Sequence, residues 1–233
     1  MKRFYKDVTL EQAEGGMKLL LDGRPVKSPA KDVLVLPEGD FAKAVAQEWR
    51  AQGDEIFPAA MPLTRLSNSV IDGVAARRDE VIASIAAYGQ TDLICYWAES
   101  PPDLVTLQAE HWQPVLNWAE EYLGHGFVTG RGVLSLTQGE AALAALADQI
   151  AQFEDFALAA LYEMTSLTGS VLLALATVRG QFHPDAAWRA AHVDEAFQIK
   201  QWGEDDEAAA RHAIRKAAFG DAVRAIQLLG VLS

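Results

Sequence analysis

The chain is poor in three things, and each shortage excludes a class. Among 233 residues there is one cysteine, Cys95. No intramolecular disulfide can form, which fits a reducing compartment. Basic residues are scarce: 20 Lys and Arg stand against 32 Asp and Glu, for a net charge of -12. Nucleic acid and anionic membrane surfaces both require a cationic face, so neither is expected as the main partner. Long apolar runs are also missing. The best stretch, Met164 to Val178, is interrupted by Thr165, Ser166, Thr168, Gly169 and Ser170. It falls short of the roughly 20 apolar residues that span a bilayer, so no membrane insertion is expected. The N-terminal Met1-Lys2-Arg3-Phe4-Tyr5-Lys6-Asp7 has no apolar core behind its charges and does not read as a secretory signal.

Signatures of chemistry are lacking too. There is no G-x-x-x-x-G-K-[ST] loop, no G-x-S-x-G elbow and no H-E-x-x-H. Gly124-His125-Gly126 has the wrong spacing for a dinucleotide fingerprint. The five histidines (His111, His125, His183, His192, His212) are scattered in sequence and form no Cys/His cluster, so neither a metal nor a cofactor is expected. Cys95 lies in the apolar string Asp92-Leu93-Ile94-Cys95-Tyr96-Trp97 and reads as a buried, inert thiol.

What is present is globular: half the residues are hydrophobic and 22% are charged. The pattern predicts an α+β fold. A small N-terminal antiparallel sheet with helices, residues 1–90, precedes a mainly helical C-terminal domain, residues 91–233. Strands are expected around Phe4, Val8 and Leu10, over Met17–Leu21, and over Val33–Leu36. Asp22-Gly23 is a tight-turn pair, since both central residues of that turn need positive φ. Helical stripes follow at Phe41, Val45, Glu48 and Trp49 from an Asp40 cap, at Leu63, Leu66, Val70, Ile71 and Val74, and at Val81, Ile82, Ile85 and Tyr88. In the second half Asp103 is expected to cap a helix through Leu123. Ser170–Val178 reads as a central buried helix, and Pro184 opens one running through Trp188, Val193, Phe197 and on to Trp202. Gly203 breaks it, and Glu204-Asp205-Asp206-Glu207 opens the last.

The charge is lopsided: residues 1–90 carry a net -1 and residues 91–233 a net -11. Its focus is Asp194-Glu195 and Glu204-Asp205-Asp206-Glu207, flanking Trp202-Gly203. Three readings stand side by side. The carboxylates cap helices and solvate a face. They form a docking surface for a cationic partner anchored by Trp202. Or they build a carboxylate-dependent hydrolase from Asp194, Glu195, Glu204 and Asp205, which would need them to converge in a concave site.

A set of strings carries a resemblance. In order they are Leu21-Asp22-Gly23-Arg24-Pro25-Val26, Ala44-Val45-Ala46-Gln47-Glu48-Trp49-Arg50-Ala51-Gln52, Met61-Pro62-Leu63-Thr64-Arg65-Leu66 and Thr91-Asp92-Leu93-Ile94-Cys95-Tyr96. Then come Ser166-Leu167-Thr168-Gly169-Ser170, Val193-Asp194-Glu195-Ala196-Phe197-Gln198 and Trp202-Gly203-Glu204-Asp205-Asp206-Glu207-Ala208. Over nearly the whole chain this resembles the assembly chaperones of the F-type ATP synthase that act on the alpha subunit, the assembly factor twelve family. The resemblance implies a non-enzymatic, cofactor-free chaperone whose partner is the unassembled alpha subunit. It also implies a small α/β domain followed by a helical one and, with no targeting leader in view, a bacterial cytoplasmic member. With the charge excess it makes Asp194, Glu195, Trp202, Glu204 and Asp205 the expected partner-binding residues. One departure is visible: Trp97 stands in Cys95-Tyr96-Trp97-Ala98 where the family usually has arginine.

Overall fold

The computed structural model describes residues 1–132 and 135–231. The chain opens with the expected sheet. Strands β1 (Val8–Ala13) and β2 (Gly16–Leu21) form an antiparallel hairpin in which Val8 faces Leu21 and Ala13 faces Gly16. The Asp22-Gly23 pair turns the chain with φ of 48° and 77°, and β3 (Arg24–Pro25) returns along β2. Asp22 earns its place twice, because its Oδ1 also accepts from the Lys6 and Asp7 N–H groups at 3.0 and 2.8 Å. Strand β4 (Val35–Leu36) pairs with the other end of the same edge of β2. Phe4 does not belong to the sheet and is exposed; Tyr5 is the buried residue, its hydroxyl donating to the Trp49 carbonyl at 2.7 Å.

Helix α1 (Asp40–Arg50) buries Phe41, Val45, Glu48 and Trp49 against the sheet. Asp40 is its first residue, not its cap; Gly39 holds that place. Helix α2 (Pro62–Ser69) continues into a wider π turn at Val70–Val74, and α3 (Arg78–Ala87) tightens into a 3-10 turn through Tyr88–Thr91. Glu48 shows what binds these pieces. It is buried, and its two oxygens accept from the Leu63 and Thr64 N–H groups, both at 2.8 Å, and from the Thr64 hydroxyl at 2.7 Å. A side chain of α1 therefore caps the free N–H groups at the start of α2.

Among the described residues the second half has helices and one parallel strand pair. Strand β5 (Tyr96–Trp97) meets β6 (Gly130–Arg131), a pairing that two-residue runs do not announce in sequence. Between them lies α4 (Pro102–Leu123), which starts on Pro102 with Asp103 in its first turn and not at its cap. Helices α5 (Glu140–Ile150) and α6 (Asp155–Thr168) lead into α7 (Val171–Val178). All eight residues of α7 are buried, with α4, α6 and α8 (Pro184–Ala191) packed around it. Each buried Leu or Val there contributes about 1.5–3 kcal/mol. The expected long helix after Pro184 is in fact two. His192 leaves helical geometry (φ -121°, ψ 23°), so α8 stops and α9 (Val193–Trp202) starts afresh. After Gly203, α10 (Asp206–Leu228) closes the chain and packs on α6.

The two halves are pinned at named points. Arg78 reaches from α3 to Asp155 at 2.5 Å and to the carbonyls of Ala151 and Phe153, closing the turn between α5 and α6. Asp92 accepts from the Leu172 N–H at 3.1 Å, beside Ser170, whose hydroxyl accepts from the Leu173 N–H at 3.0 Å. Together they satisfy the start of the buried α7. Among the described residues no helix is long and apolar enough to cross a membrane.

Candidate functional site

The five residues singled out by charge and resemblance lie on α9, on the Gly203 break and at the head of α10. Asp194 is half-buried. Its Oδ1 accepts from Gln108 Nε2 at 2.7 Å, and the buried Gln108 in turn accepts from the Ala98 N–H at 2.8 Å. This carboxylate ties α9 to α4 and to the chain leaving β5. Glu195, one residue on, faces α10, where its Oε2 lies 3.5 Å from His212 Nδ1. Trp202 is 80% exposed. Glu204 and Asp205 are exposed, and Asp205 Oδ1 accepts from the Ala208 N–H at 2.8 Å, which makes it the cap of α10. Asp206 and Glu207 then sit in the first turn, where negative charge is favourable.

The carboxylates do not converge. Asp194 points at α4, Glu195 at α10 and Asp205 at its own helix start, so the geometry a carboxylate hydrolase requires is not assembled from this set. The structure does bring together a group that sequence distance hides. His192, Glu195 and His212 place their side-chain donor atoms within 4.8 Å of one another. Their hydrogen bonds decide what the group can do. The Trp188 indole N–H donates to His212 Nε2 at 3.0 Å, which leaves the proton of a neutral His212 on Nδ1, toward Glu195. His192 Nδ1 lies 2.9 Å from the Trp188 carbonyl and donates to it. Burial holds the His192 pKa below its ordinary value, keeping it neutral. Of the four ring nitrogens, His192 Nε2 is the one left with a free lone pair among the described residues, and the group joins α8, α9 and α10 as a clasp. Trp188 stacks within it, 3.9 Å from the His192 ring centre.

The remaining sequence candidates resolve as packing. Cys95 is fully buried; desolvation, with the Asp92 carboxylate beside it, pushes its thiol pKa strongly up and makes it inert. Trp97 is half-buried, donates to the Ile94 carbonyl at 3.0 Å and packs edge-on against Trp112, with ring centres 5.9 Å apart. Its aromatic ring fills a seam between β5 and α4.

Two hydrophobic side chains share the acidic end: Trp202, and Ile199 one turn before it, 42% exposed. An exposed aromatic followed in the chain by exposed carboxylates can bury apolar area while those charges select a cationic partner. Asp194, Glu195 and Asp205 hold the helices in place, whereas Trp202 and Glu204 are exposed and make no side-chain hydrogen bond or ion pair among the described residues.

Comparison with known proteins follows the same lines. The profile of the family described as ATP12 chaperone protein matches residues 2–120. The crystal structure of Atp12 from Paracoccus denitrificans superposes with a TM-score of 0.94 at 40% identity, covering 98% of each chain. A protein of Agrobacterium tumefaciens matches with the same TM-score at 43% identity, over 98% of this chain and 86% of that one. Protein atp12, mitochondrial, of Schizosaccharomyces pombe is 22% identical over 219 residues, 89% of this chain and 75% of that protein.

Proposed function

Since the chain belongs to the ATP12 chaperone family, which serves ATP synthase assembly, we propose that its client is the unassembled alpha subunit of the F-type catalytic head. It binds that subunit and keeps it from aggregating until the beta subunit takes over, with no bond made or broken. The observation that carries the reading is the match along almost the whole chain to Paracoccus Atp12 at 40% identity.

The physics is consistent with that task. A subunit awaiting its partner exposes an obligate interface of about 2,000 Å² or more, and such surfaces aggregate. A protein that shields one must stay soluble while offering apolar contacts. The net charge of -12 favours solubility, and Trp202 with Ile199 offers contacts. We place part of the client contact at the acidic end, on Asp194, Glu195, Trp202, Glu204 and Asp205. Trp202 is the anchor and the carboxylates set orientation. We also take residues 1–90 and 91–233 as the two units of the molecule, and the bacterial cytoplasm as its site of action, in keeping with its relatives from Paracoccus and Agrobacterium.

Light scattering tests the client directly. Stoichiometric protein is expected to suppress aggregation of isolated alpha subunit and to leave that of isolated beta subunit unchanged. Equal protection of both, or of neither, overturns the reading. For the contact, Glu204→Lys is the informative charge reversal, because Glu204 caps no helix; Asp205→Asn keeps the cap and serves as a folding control. Undiminished co-purification of the Glu204→Lys protein with alpha subunit would remove Glu204 from the contact.

A further inference from the structure

Helix α9 and the head of α10 form an arm with almost no buried surface. From Glu195 to Arg211 no residue is buried, and only Phe197 and Ala209 are partly covered. An arm so sparsely packed is fixed by its base. One anchor there is the hydrogen bond from Gln108 of α4 to Asp194, at 2.7 Å. The other is the clasp of His192, Glu195 and His212 around Trp188. Beyond His212 the body takes hold of α10 again. Arg215 donates to the Leu167 carbonyl at 2.7 Å, and Phe219 is buried against Trp188 with ring centres 5.3 Å apart.

The clasp is built for neutral rings. His212 Nε2 accepts from the Trp188 indole N–H at 3.0 Å, which a protonated ring, with no lone pair left, cannot do. That hydrogen bond ties α10 to α8. His192 donates from Nδ1 to the Trp188 carbonyl, so a proton added at its free Nε2 puts a charge on a buried ring. Charged groups face this ring from two elements. Glu195 of α9 favours the charge, and His212 and Arg215 of α10 oppose it, while α8 offers the uncharged Trp188. Glu195 lies 3.5 Å from His212, and the donor atoms of all three residues fall within 4.8 Å of one another. A charged His192 therefore competes for the carboxylate that faces His212, and a link across to α10 gives way to one between neighbours in the chain. Burial holds the His192 pKa below its ordinary 6.5, so the fold favours the neutral ring. What that ring contributes is present above this value and is lost as the pH falls.

We propose that the clasp is a proton-operated latch at the base of the arm: neutral, it holds α9 and the head of α10 to α8, and protonated, it releases them. A released arm presents Trp202 and Glu204 in no fixed orientation, and a surface that must be ordered on binding binds more weakly. Acid therefore loosens the acidic end whatever partner meets it, alpha subunit or another.

The test uses the full chain alone. Glu121→Cys on α4 and Gln201→Cys near the end of α9, both exposed, carry nitroxide labels, and the buried Cys95 stays unlabelled. Electron–electron dipolar spectroscopy reads the distance distribution between them from about pH 7.5 to about pH 5, either side of the ordinary histidine value. Its width is expected to at least double in acid. In His192→Asn/His212→Gln with the same labels, the amides stand in for the two hydrogen-bonding nitrogens and cannot be charged. Its width is expected to stay at the neutral value throughout. Asp92 also titrates in this range and is kept in that variant, so equal broadening there belongs to a carboxylate and overturns the latch. A parent width that stays constant on acidification overturns it too. If the variant is broad at both pH values, the parent's ring proton resonances decide. A His192 signal that titrates with the midpoint of the broadening upholds the latch, and one that does not titrate while the width doubles overturns it.

Discussion

Asp92 shows most clearly how one residue serves the whole. It is fully buried, and it accepts from the Ile94 and Leu172 N–H groups at 3.3 and 3.1 Å. Those donors favour the carboxylate, yet desolvation outweighs them and raises its pKa to about 6 from 3.8. The folded protein thus holds this proton more tightly than the unfolded chain. The stability it contributes is complete below about pH 3.8 and is lost as the pH rises through about 6. A shift of two units corresponds to about 3 kcal/mol. Asp92→Asn removes the titration, so between pH 4 and pH 7 the parent is expected to lose about 2–2.5 kcal/mol relative to this variant, read from paired urea denaturation curves. A constant difference across that range would show that Asp92 stays ionised. Glu48 is a second buried carboxylate whose pKa is raised by burial, here with three hydrogen bonds capping α2. Glu48→Ala leaves the Leu63 and Thr64 N–H groups without their acceptor and is expected to cost about 2–4 kcal/mol in the same assay.

At the scale of elements, the features legible in sequence are those written in local chemistry. The Asp22-Gly23 turn, the buried α7, the Pro184 helix start and the Gly203 break all follow from residues whose backbone preference or periodicity is decided within a few positions. The misplaced features are helix ends shifted by a residue or two and elements that depend on contacts made far along the chain. Asp40 and Asp103 look like caps, but the preceding Gly39 and Pro101 take those places. The α8–α9 break falls within an unbroken apolar pattern, because His192 leaves helical geometry to meet Trp188 and His212. The His192–Glu195–His212 clasp spans 20 residues and has no linear signature. The strings behind the family resemblance also gain a physical meaning: Glu48 of one binds Leu63 and Thr64 of the next, and Asp92 lies against Ser170 of a third. Gly16 tests this packing at the sheet. Its φ is 148°, and a Cβ there would overlap the Leu36 carbonyl oxygen. Gly16→Ala should cost about 3 kcal/mol by forcing β4 off β2, visible as a lowered thermal midpoint. An unchanged midpoint would mean that β4 contributes little.

Across the whole molecule, stability and client contact separate. The interior runs from the sheet through α1 and α2 into α6, α7 and α10, so deep substitutions disturb everything at once. The outward residues of the acidic end carry no such burden. Trp202→Ala is expected to leave stability within about 0.5 kcal/mol while weakening alpha-subunit binding tenfold or more, measured by calorimetry on the same preparations. Equal affinity in the variant would move the anchor elsewhere. The placing of the tryptophans has a practical consequence. Of six indoles, Trp49, Trp112 and Trp188 are buried, Trp97 and Trp118 are half-buried, and Trp202 alone stands in water. Acrylamide should quench this one emitter in preference to the rest. The protein therefore carries its own optical gauge at the proposed contact, and a blue shift with loss of quenching on adding client would time the encounter without any label.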